Sequence, residues 1–377
     1  MNKETFCSLP FTEIFLGPDG HVKTCCSASN SIGSLHTNTI DELINGKVAT
    51  DIRQHILDGK WHESCRQCKQ QESQNARSER DSDLERFQTD YGPVDNSFFK
   101  LRRLDLRWSN TCNLSCTYCY EYFSSKWATL KGLKINTIKD ENENSLFLMI
   151  EKNIDSIENI LMLGGEPLLQ KQNLRLVNTI TDDRSFYILS NLAIPLESNS
   201  IAQTLINERT TKWGVSFETV GNRYEYVRRG ASWDLFAKNI NYIQEKTSNN
   251  IDAHSLYSIY SAFNLVEFYE FIQENKIKNV FWNLLESSGE NSTASVLKLS
   301  PELKQRAIDE ITQCEKLFPD APGLEWLLTF KKNLTLKTKS TNKSFVEEIY
   351  SLETTYLKNE TLKFEKLWPT EWELLNK

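Results

Sequence analysis

Eight of the nine cysteines in this 377-residue chain lie in its first third, at positions 7, 25, 26, 65, 68, 112, 116 and 119; the ninth is Cys314. This clustering constrains the fold more than any other feature. Where thiols stay reduced, cysteines gathered in this way point to metal ligation or catalysis rather than disulfides. The opening residues, MNKETFCSLPFTEIF, lack the basic stretch and apolar run of a signal peptide. No apolar run approaches the roughly 18 residues of a membrane span. A net charge of −7 gives no indication of nucleic-acid binding. The expectation is a cytoplasmic protein of about two to three domains, with no membrane or nucleic-acid partner.

The cysteines form two sets. One is the run Cys112-Asn-Leu-Ser-Cys116-Thr-Tyr-Cys119. The other is Cys7, Cys25 or Cys26, Cys65 and Cys68. Cys314 recurs with Ile311, Leu317 and Phe318 at helical spacing, so it reads as packing. The histidines at 21, 36, 55, 62 and 254 form no ligand pair at helical spacing.

Residues 1–69 hold short alternating pieces, the turn Gly17-Pro-Asp-Gly20 and a helical stretch from Thr39 to Asp58. Residues 70–99 are polar and read as a connecting helix plus linker. From Leu101 apolar runs alternate with helical ones, the pattern of β/α units. The strand candidates are Leu101–Arg107, Ile157–Leu163, Phe186–Leu189, Lys212–Phe217, Asp252–Tyr260 and Asn279–Leu285. Six strands predict an α/β fold, a partial (β/α)6 TIM-like barrel rather than a closed eight-fold one. From Pro301 the tail reads as helices.

Active sites of such barrels lie at the C-terminal ends of the strands, and the run from Cys112 to Cys119 directly follows the first strand. Iron–sulfur clusters are held by cysteine thiolates, usually four. Three leave one iron of a cubane open to a substrate or cofactor. Zinc motifs usually add a second cysteine pair or histidines, and no histidine lies near this loop.

The run resembles the signature of the radical S-adenosylmethionine (SAM) superfamily, CxxxCxφC, whose aromatic φ is here Tyr118. The resemblance implies that Cys112, Cys116 and Cys119 hold a [4Fe–4S] cluster and that SAM chelates the fourth iron. Reductive cleavage of SAM would then give methionine and a 5′-deoxyadenosyl radical, with Tyr118 near the adenine. Gly164-Gly165-Glu166-Pro167 is similar to the family's GGEP motif, in which the glutamate accepts from the SAM ammonium. Ser190-Asn191 stands where relatives carry Thr-Asn-Gly. Ser216 and Glu218 match a Ser-x-Asp pattern with glutamate in the acidic place. Arg228 or Arg229 would clamp the SAM carboxylate, Arg228 fitting the spacing slightly better. Ser258 and Asn283 read as ordinary strand residues.

The first cysteine set resembles the auxiliary-cluster module called SPASM or twitch, whose pattern opens with a cysteine, a spacer and GxxxxC; here Gly20 precedes Cys25. The four-cysteine twitch version implies a second [4Fe–4S] cluster on Cys7, Cys25, Cys65 and Cys68, with Cys26 as spare or substitute. A four-cysteine zinc site is the other reading of the spacing. In the family this module follows the barrel; here it precedes it. The implied organisation is residues 1–72 auxiliary domain, 73–99 linker and helix, 100–290 radical SAM core and 291–377 helical region. The implied function is hydrogen abstraction from a peptide or protein, in an oxidoreductase-type or peptide-modifying enzyme fed by an electron donor such as flavodoxin or ferredoxin. The alternatives are a radical SAM dehydrogenase or modifier of a small carbohydrate- or nucleotide-like molecule, and a noncatalytic iron–sulfur or zinc protein.

Overall fold

Short apolar runs bounded by turn residues become strands, and the helical stretches between them bring the chain back to start the next parallel strand. The computed structural model describes residues 5–74, 77–86, 95–133, 138–182, 184–248, 251–285, 292–336, 342–355 and 362–377. Its strands are β1 (Glu13–Leu16), β2 (His21–Lys23), β3 (Gly33–Ser34), β4 (Arg103–Leu106), β5 (Asn159–Met162), β6 (Ser185–Ser190), β7 (Thr210–Ser216), β8 (Ile251–Tyr257) and β9 (Asn279–Leu284). The core strands β4–β9 match the expected six to within three residues at each end. The fold is α/β, and six core strands among the described residues suit a partial barrel, not a closed eight-stranded one. No helix among the described residues is long and apolar enough to cross a membrane.

The chain divides into two compact units, residues 1–111, 132–188 and 208–211 in the first and 112–131, 189–207 and 212–377 in the second. In the first unit, β3, β2 and β1 form an antiparallel ribbon. β1 joins it to the core by running parallel to β4, with Glu13 opposite Arg103 and Leu16 opposite Leu106. β4 and β5, then β5 and β6, pair in parallel. Both β1 and β4 are buried throughout, as strands covered on both faces are. The helical stretch Thr39–Asp58 is in fact two helices, Ile40–Ile44 and Lys47–Leu57, the first started by a capping box of Thr39 and Glu42. Gly46 breaks them: a Cβ there would stand 2.9 Å from the Glu42 carbonyl oxygen. The polar stretch after residue 70 holds the end of helix Arg66–Ser73 and helix Glu79–Arg86; residues 87–94 of the expected linker lie outside the described residues.

In the second unit β7, β8 and β9 run parallel. One face packs on helices Trp233–Lys246 and Leu265–Glu274, with Phe217 against Phe236 and Phe268, and Trp282 against Phe268. β8 stops at Tyr257 rather than Tyr260. There the Ser258 N–H donates to Ser261 Oγ at 3.0 Å and the chain turns, so Ser258 is a buried turn residue. Cys314 is fully buried on helix Pro301–Leu317 beside Ala307 and Ile311. The tail is anchored by Phe364 stacked on Trp368 at 4.7 Å, and by Trp368 against Tyr226 at 5.6 Å.

Candidate metal centres

The run Cys112–Cys119 opens the second unit, held by hydrogen bonds from two directions. Helix Ser125–Leu130 supplies one set: Ser125 Oγ accepts from the Cys112 N–H at 3.0 Å, Ser124 Oγ donates to the Leu114 carbonyl at 2.6 Å, and Trp127 Nε1 donates to the Cys116 carbonyl at 3.0 Å. The chain at 227–229 supplies the other, its carbonyls accepting from Ser115 N–H at 3.0 Å and Thr117 N–H at 2.8 Å. Cys116 is buried, while Cys112 and Cys119 are partly exposed. Burial pushes the Cys116 thiol up to about 11. It raises Cys119 too, and the neighbouring thiols Cys116 and Cys112 add to that. The Leu114 N–H and Asn191 Nδ2 stand 3.5 Å and 3.9 Å from Cys112 Sγ.

Three expected cofactor residues meet beside this loop. The Tyr118 hydroxyl donates to both Glu218 oxygens at 3.2 Å, and Arg228 donates to Glu218 Oε2 at 2.7 Å. The longer glutamate thus occupies the aspartate's place as a buried brace between tyrosine and arginine. The structure also separates the two arginines. Arg229 is engaged by the loop itself, donating to the Ser115 carbonyl at 3.0 Å, with its guanidinium 4.8 Å from the Trp127 ring centroid. Arg228 keeps a buried Nε with no hydrogen-bond partner, a donor suited to a ligand carboxylate. Asn191 donates to Asn113 Oδ1 at 3.0 Å, whereas Ser190 Oγ accepts from the Leu192 N–H at 3.0 Å in a local turn.

Ser216 leads to residues that sequence reasoning missed. In register it stands beside His254 of β8, which stands beside Phe281 of β9. These three share the sheet face opposite the helices, and the His254 and Phe281 rings lie 5.0 Å apart. Asn283 is exposed on the same face and is, as expected, a strand residue. The signal was the two-residue alternation of Val280-Phe281-Trp282-Asn283.

Gly164, Gly165, Glu166 and Pro167 belong to the first unit. Their glycines serve a close backbone approach: a Cβ on Gly165 would stand 2.4 Å from the Thr111 carbonyl oxygen. The Glu166 N–H donates to that same oxygen at 2.7 Å. Buried Glu166 also caps the turn Pro167–Leu169, its Oε1 accepting from the Leu168 N–H at 3.1 Å. The motif therefore buttresses Ser109–Thr111, the residues leading into Cys112, besides anything it offers a ligand.

The other cysteine set gathers around one cavity in the first unit, lined by Cys7, Cys25, Cys65 and Cys68 with Ile56 and Trp61. Cys26 does not line it; burial raises its thiol, and the charges of Glu13, Glu79 and Asp105 add to the rise while Arg103 opposes it. Burial raises the Cys7 and Cys25 thiols and pushes Cys65 up to about 11. Arg80 also lines the cavity, paired with Glu72, its guanidinium 5.5 Å from the Trp61 ring centroid. The structure further brings the His55 and His62 rings to 4.9 Å, a histidine pair that helical spacing alone did not suggest.

Both thiol sets fit iron–sulfur clusters. All nine cysteines are free of disulfides, and buried thiols become thiolates when a metal supplies the charge. Four thiolates on one zinc at 2.3 Å stand about 3.8 Å apart. Among the described residues no three cysteines bring their sulfurs within 4.8 Å of one another. A cubane takes each thiolate at a different iron, and so holds its ligands further apart than a single zinc does.

Residues 106–273 match the radical SAM superfamily model, and residues 7–69 match the SPASM model, an iron–sulfur cluster-binding domain. A curated relative, 7-carboxy-7-deazaguanine synthase of Clostridium acetobutylicum, is 28% identical over 163 residues, 41% of this chain and 62% of the relative. Among solved structures, anSMEcpe with bound AdoMet and Kp18Cys peptide is similar at 17% identity and a TM-score of 0.41, covering 56% of this chain and 59% of that one. Streptococcus suis SuiB bound to precursor peptide SuiA has the same identity and TM-score, covering 73% and 62%. In each case the match spans less than two thirds of the relative's own length. With both family models resting on its two cysteine sets, the chain is an enzyme of the radical SAM superfamily with an iron–sulfur SPASM domain ahead of its core, and its cofactors are SAM, a [4Fe–4S] cluster and an auxiliary iron–sulfur cluster.

Proposed function

We propose that the enzyme abstracts hydrogen from a peptide or protein substrate. The observation that carries this reading is the open face of β9, on which Asn279, Phe281 and Asn283 are exposed. Small-molecule sites enclose most of their ligand in a concave pocket; an open strand face suits an extended chain. In this reading Cys112, Cys116 and Cys119 ligate the cluster that binds SAM, and Cys7, Cys25, Cys65 and Cys68 ligate the auxiliary one. Once bound, cluster and SAM supply a carbon-centred radical on reduction. Tyr118 and Arg228, braced by Glu218, would hold SAM, with Asn191 and Ser216 beside it, while Gly164, Gly165, Glu166 and Pro167 support the loop and offer a carboxylate to the ammonium. Ser190 would act through the Leu192 turn. Residues 1–72 would form the auxiliary domain, 73–99 the connection, 100–290 the core and 291–377 a helical cover. An electron donor such as flavodoxin or ferredoxin would reduce the clusters in the cytoplasm.

The similarity to 7-carboxy-7-deazaguanine synthase favours a second reading, a small nucleobase-like substrate. Co-expression with peptides encoded beside the gene, followed by mass spectrometry, separates the two. The peptide reading expects a mass change or new crosslink that requires Cys112, Cys116 and Cys119. Substrate-stimulated 5′-deoxyadenosine formation with small heterocycles alone would replace it with the second.

A further inference from the structure

We propose that His62 is a positioning residue for the auxiliary cluster: backed by Asp51, it fixes the turn that presents Cys65 to the cavity. The inference rests on the reading of Cys65 as a cluster ligand. Cys65 ends the single turn Glu63–Cys65 and leads directly into helix Arg66–Ser73, whose own start has no side-chain cap, so the shape of this entry rests on what holds the turn. His62 is its N-cap, and His62 Nδ1 accepts from the Ser64 N–H at 3.0 Å. N-caps are ordinarily Ser, Thr, Asp or Asn, whose short side chains end at the backbone they cap. The imidazole goes further. Its Nε2 lies 3.3 Å from Asp51 Oδ2, and the side chain is 10% exposed. With Nδ1 accepting, the proton of a neutral ring sits on Nε2, facing the carboxylate.

Asp51 belongs to helix Lys47–Leu57, whose Ile52 and Ile56 pack in one apolar cluster with Phe6 and Cys7. The relay Asp51–His62–Ser64 therefore ties the Cys65 turn to the helix that walls the same cavity. A second tie runs to the segment after Cys25, where the Ser29 N–H donates to the Ser64 carbonyl at 2.9 Å. Asp51, His55 and His62 bring one potential ligand atom each within 4.8 Å, the spacing of a cation site. A cation on His62 Nε2 would displace that proton and require Nδ1 to carry one, breaking the cap. His55 Nδ1 is already bonded to the Asp51 carbonyl at 2.9 Å on its own helix. The trio is better built as a clamp on the turn than as a metal site.

The test uses the full chain, reconstituted without oxygen, as wild type and as Cys65→Ala, His62→Ala, His62→Asn and Asp51→Ala. The readouts are iron per chain, the rate of iron release to a chelator and the electron paramagnetic resonance signal of the reduced auxiliary cluster. Cys65→Ala should lose the auxiliary signal. His62→Ala should release auxiliary iron about tenfold faster, the order expected for a lost cap, with an altered signal. His62→Asn, whose side-chain oxygen can cap the turn, should restore slow release. Asp51→Ala, changed at a half-exposed position, should fall between them, and it carries the test if His62→Ala does not fold. Wild-type release from His62→Ala or Asp51→Ala, or no rescue by asparagine, overturns the proposal while Cys65→Ala still loses iron. Full iron in Cys65→Ala overturns the ligand assignment instead.

Discussion

The two cysteine sites are built on opposite plans. The sulfurs of one set lie within eight residues of sequence, from Cys112 to Cys119, and side-chain hydrogen bonds from a short helix and backbone ones from 227–229 shape that run. The auxiliary sulfurs come from three separate segments, and packing brings them together around an apolar wall that includes Phe6, Cys7 and Ile56. A site made by local geometry leaves the rest of the fold standing when its ligands are removed. A site assembled by packing around a metal couples ligand loss to folding.

The largest expected effect tests the local site. Cys112, Cys116 and Cys119 changed together to alanine should abolish 5′-deoxyadenosine formation and reduce about eight irons per chain to about four, as two cubanes require. The thermal midpoint should stay near wild type. Residual SAM cleavage, or zinc in place of iron in anaerobically purified wild type, would break the assignment.

The next effect sharpens the assembled site. Cys25→Ala should remove about four irons and lower the thermal midpoint, as expected of a cavity-lining ligand whose metal would support the fold. Cys26→Ala should keep all the iron, since Cys26 lies off the cavity. Equal iron loss from both would mean that the adjacent thiols exchange as ligands.

The same contrast explains what the sequence could tell. The run from Cys112 to Cys119 and the six core strands were legible because each is a short-range pattern of spacing or alternation. The choice between Cys25 and Cys26 depended on which side of one backbone turn faces a cavity shared with Cys65 and Cys68, about 40 positions away. The ribbon β1–β3, joined to the core through the pairing of Glu13 with Arg103, is a long-range contact with no local signature. Gly165 stood in a recognisable motif, but its closeness to the Thr111 backbone had no local signature. His62 was hidden because a histidine cap falls outside the usual cap residues.

A smaller effect separates the two duties of Glu166. Glu166→Ala removes a cap, costing about 1 kcal/mol of stability. If the carboxylate also binds the SAM ammonium, it should weaken SAM about ten- to a hundredfold, the worth of a charged hydrogen bond. Glu166→Gln keeps an oxygen for the Leu168 N–H but loses the charge. Calorimetric SAM titration should find Gln as weak as Ala while its thermal midpoint stays near wild type. Wild-type SAM affinity in both variants would leave the motif a buttress only.

The smallest effect contrasts two buried ion pairs, one from each region. Glu218 is hydrogen-bonded to Arg228 at 2.7 Å and to Tyr118. Glu13 lies 3.7 Å from Arg103 with both carboxylate oxygens buried and without a hydrogen bond, while Arg103 donates to Glu79 at 2.6 Å. Burial raises the Glu13 carboxyl well above its ordinary 4.5, nearby Asp105 and Glu79 add to the rise, and Arg103 opposes it. The folded state therefore holds this proton more tightly than the unfolded chain. The resulting stability is fully present below 4.5 and is lost as pH rises through the folded value. Glu13→Gln removes that loss, so wild type should lose more stability than the variant between about pH 5 and pH 8. Each 1 kcal/mol should separate the thermal midpoints by about 2–4 °C. Parallel pH profiles would show that Arg103 already holds Glu13 ionised, making the two pairs electrostatically alike despite their different geometry.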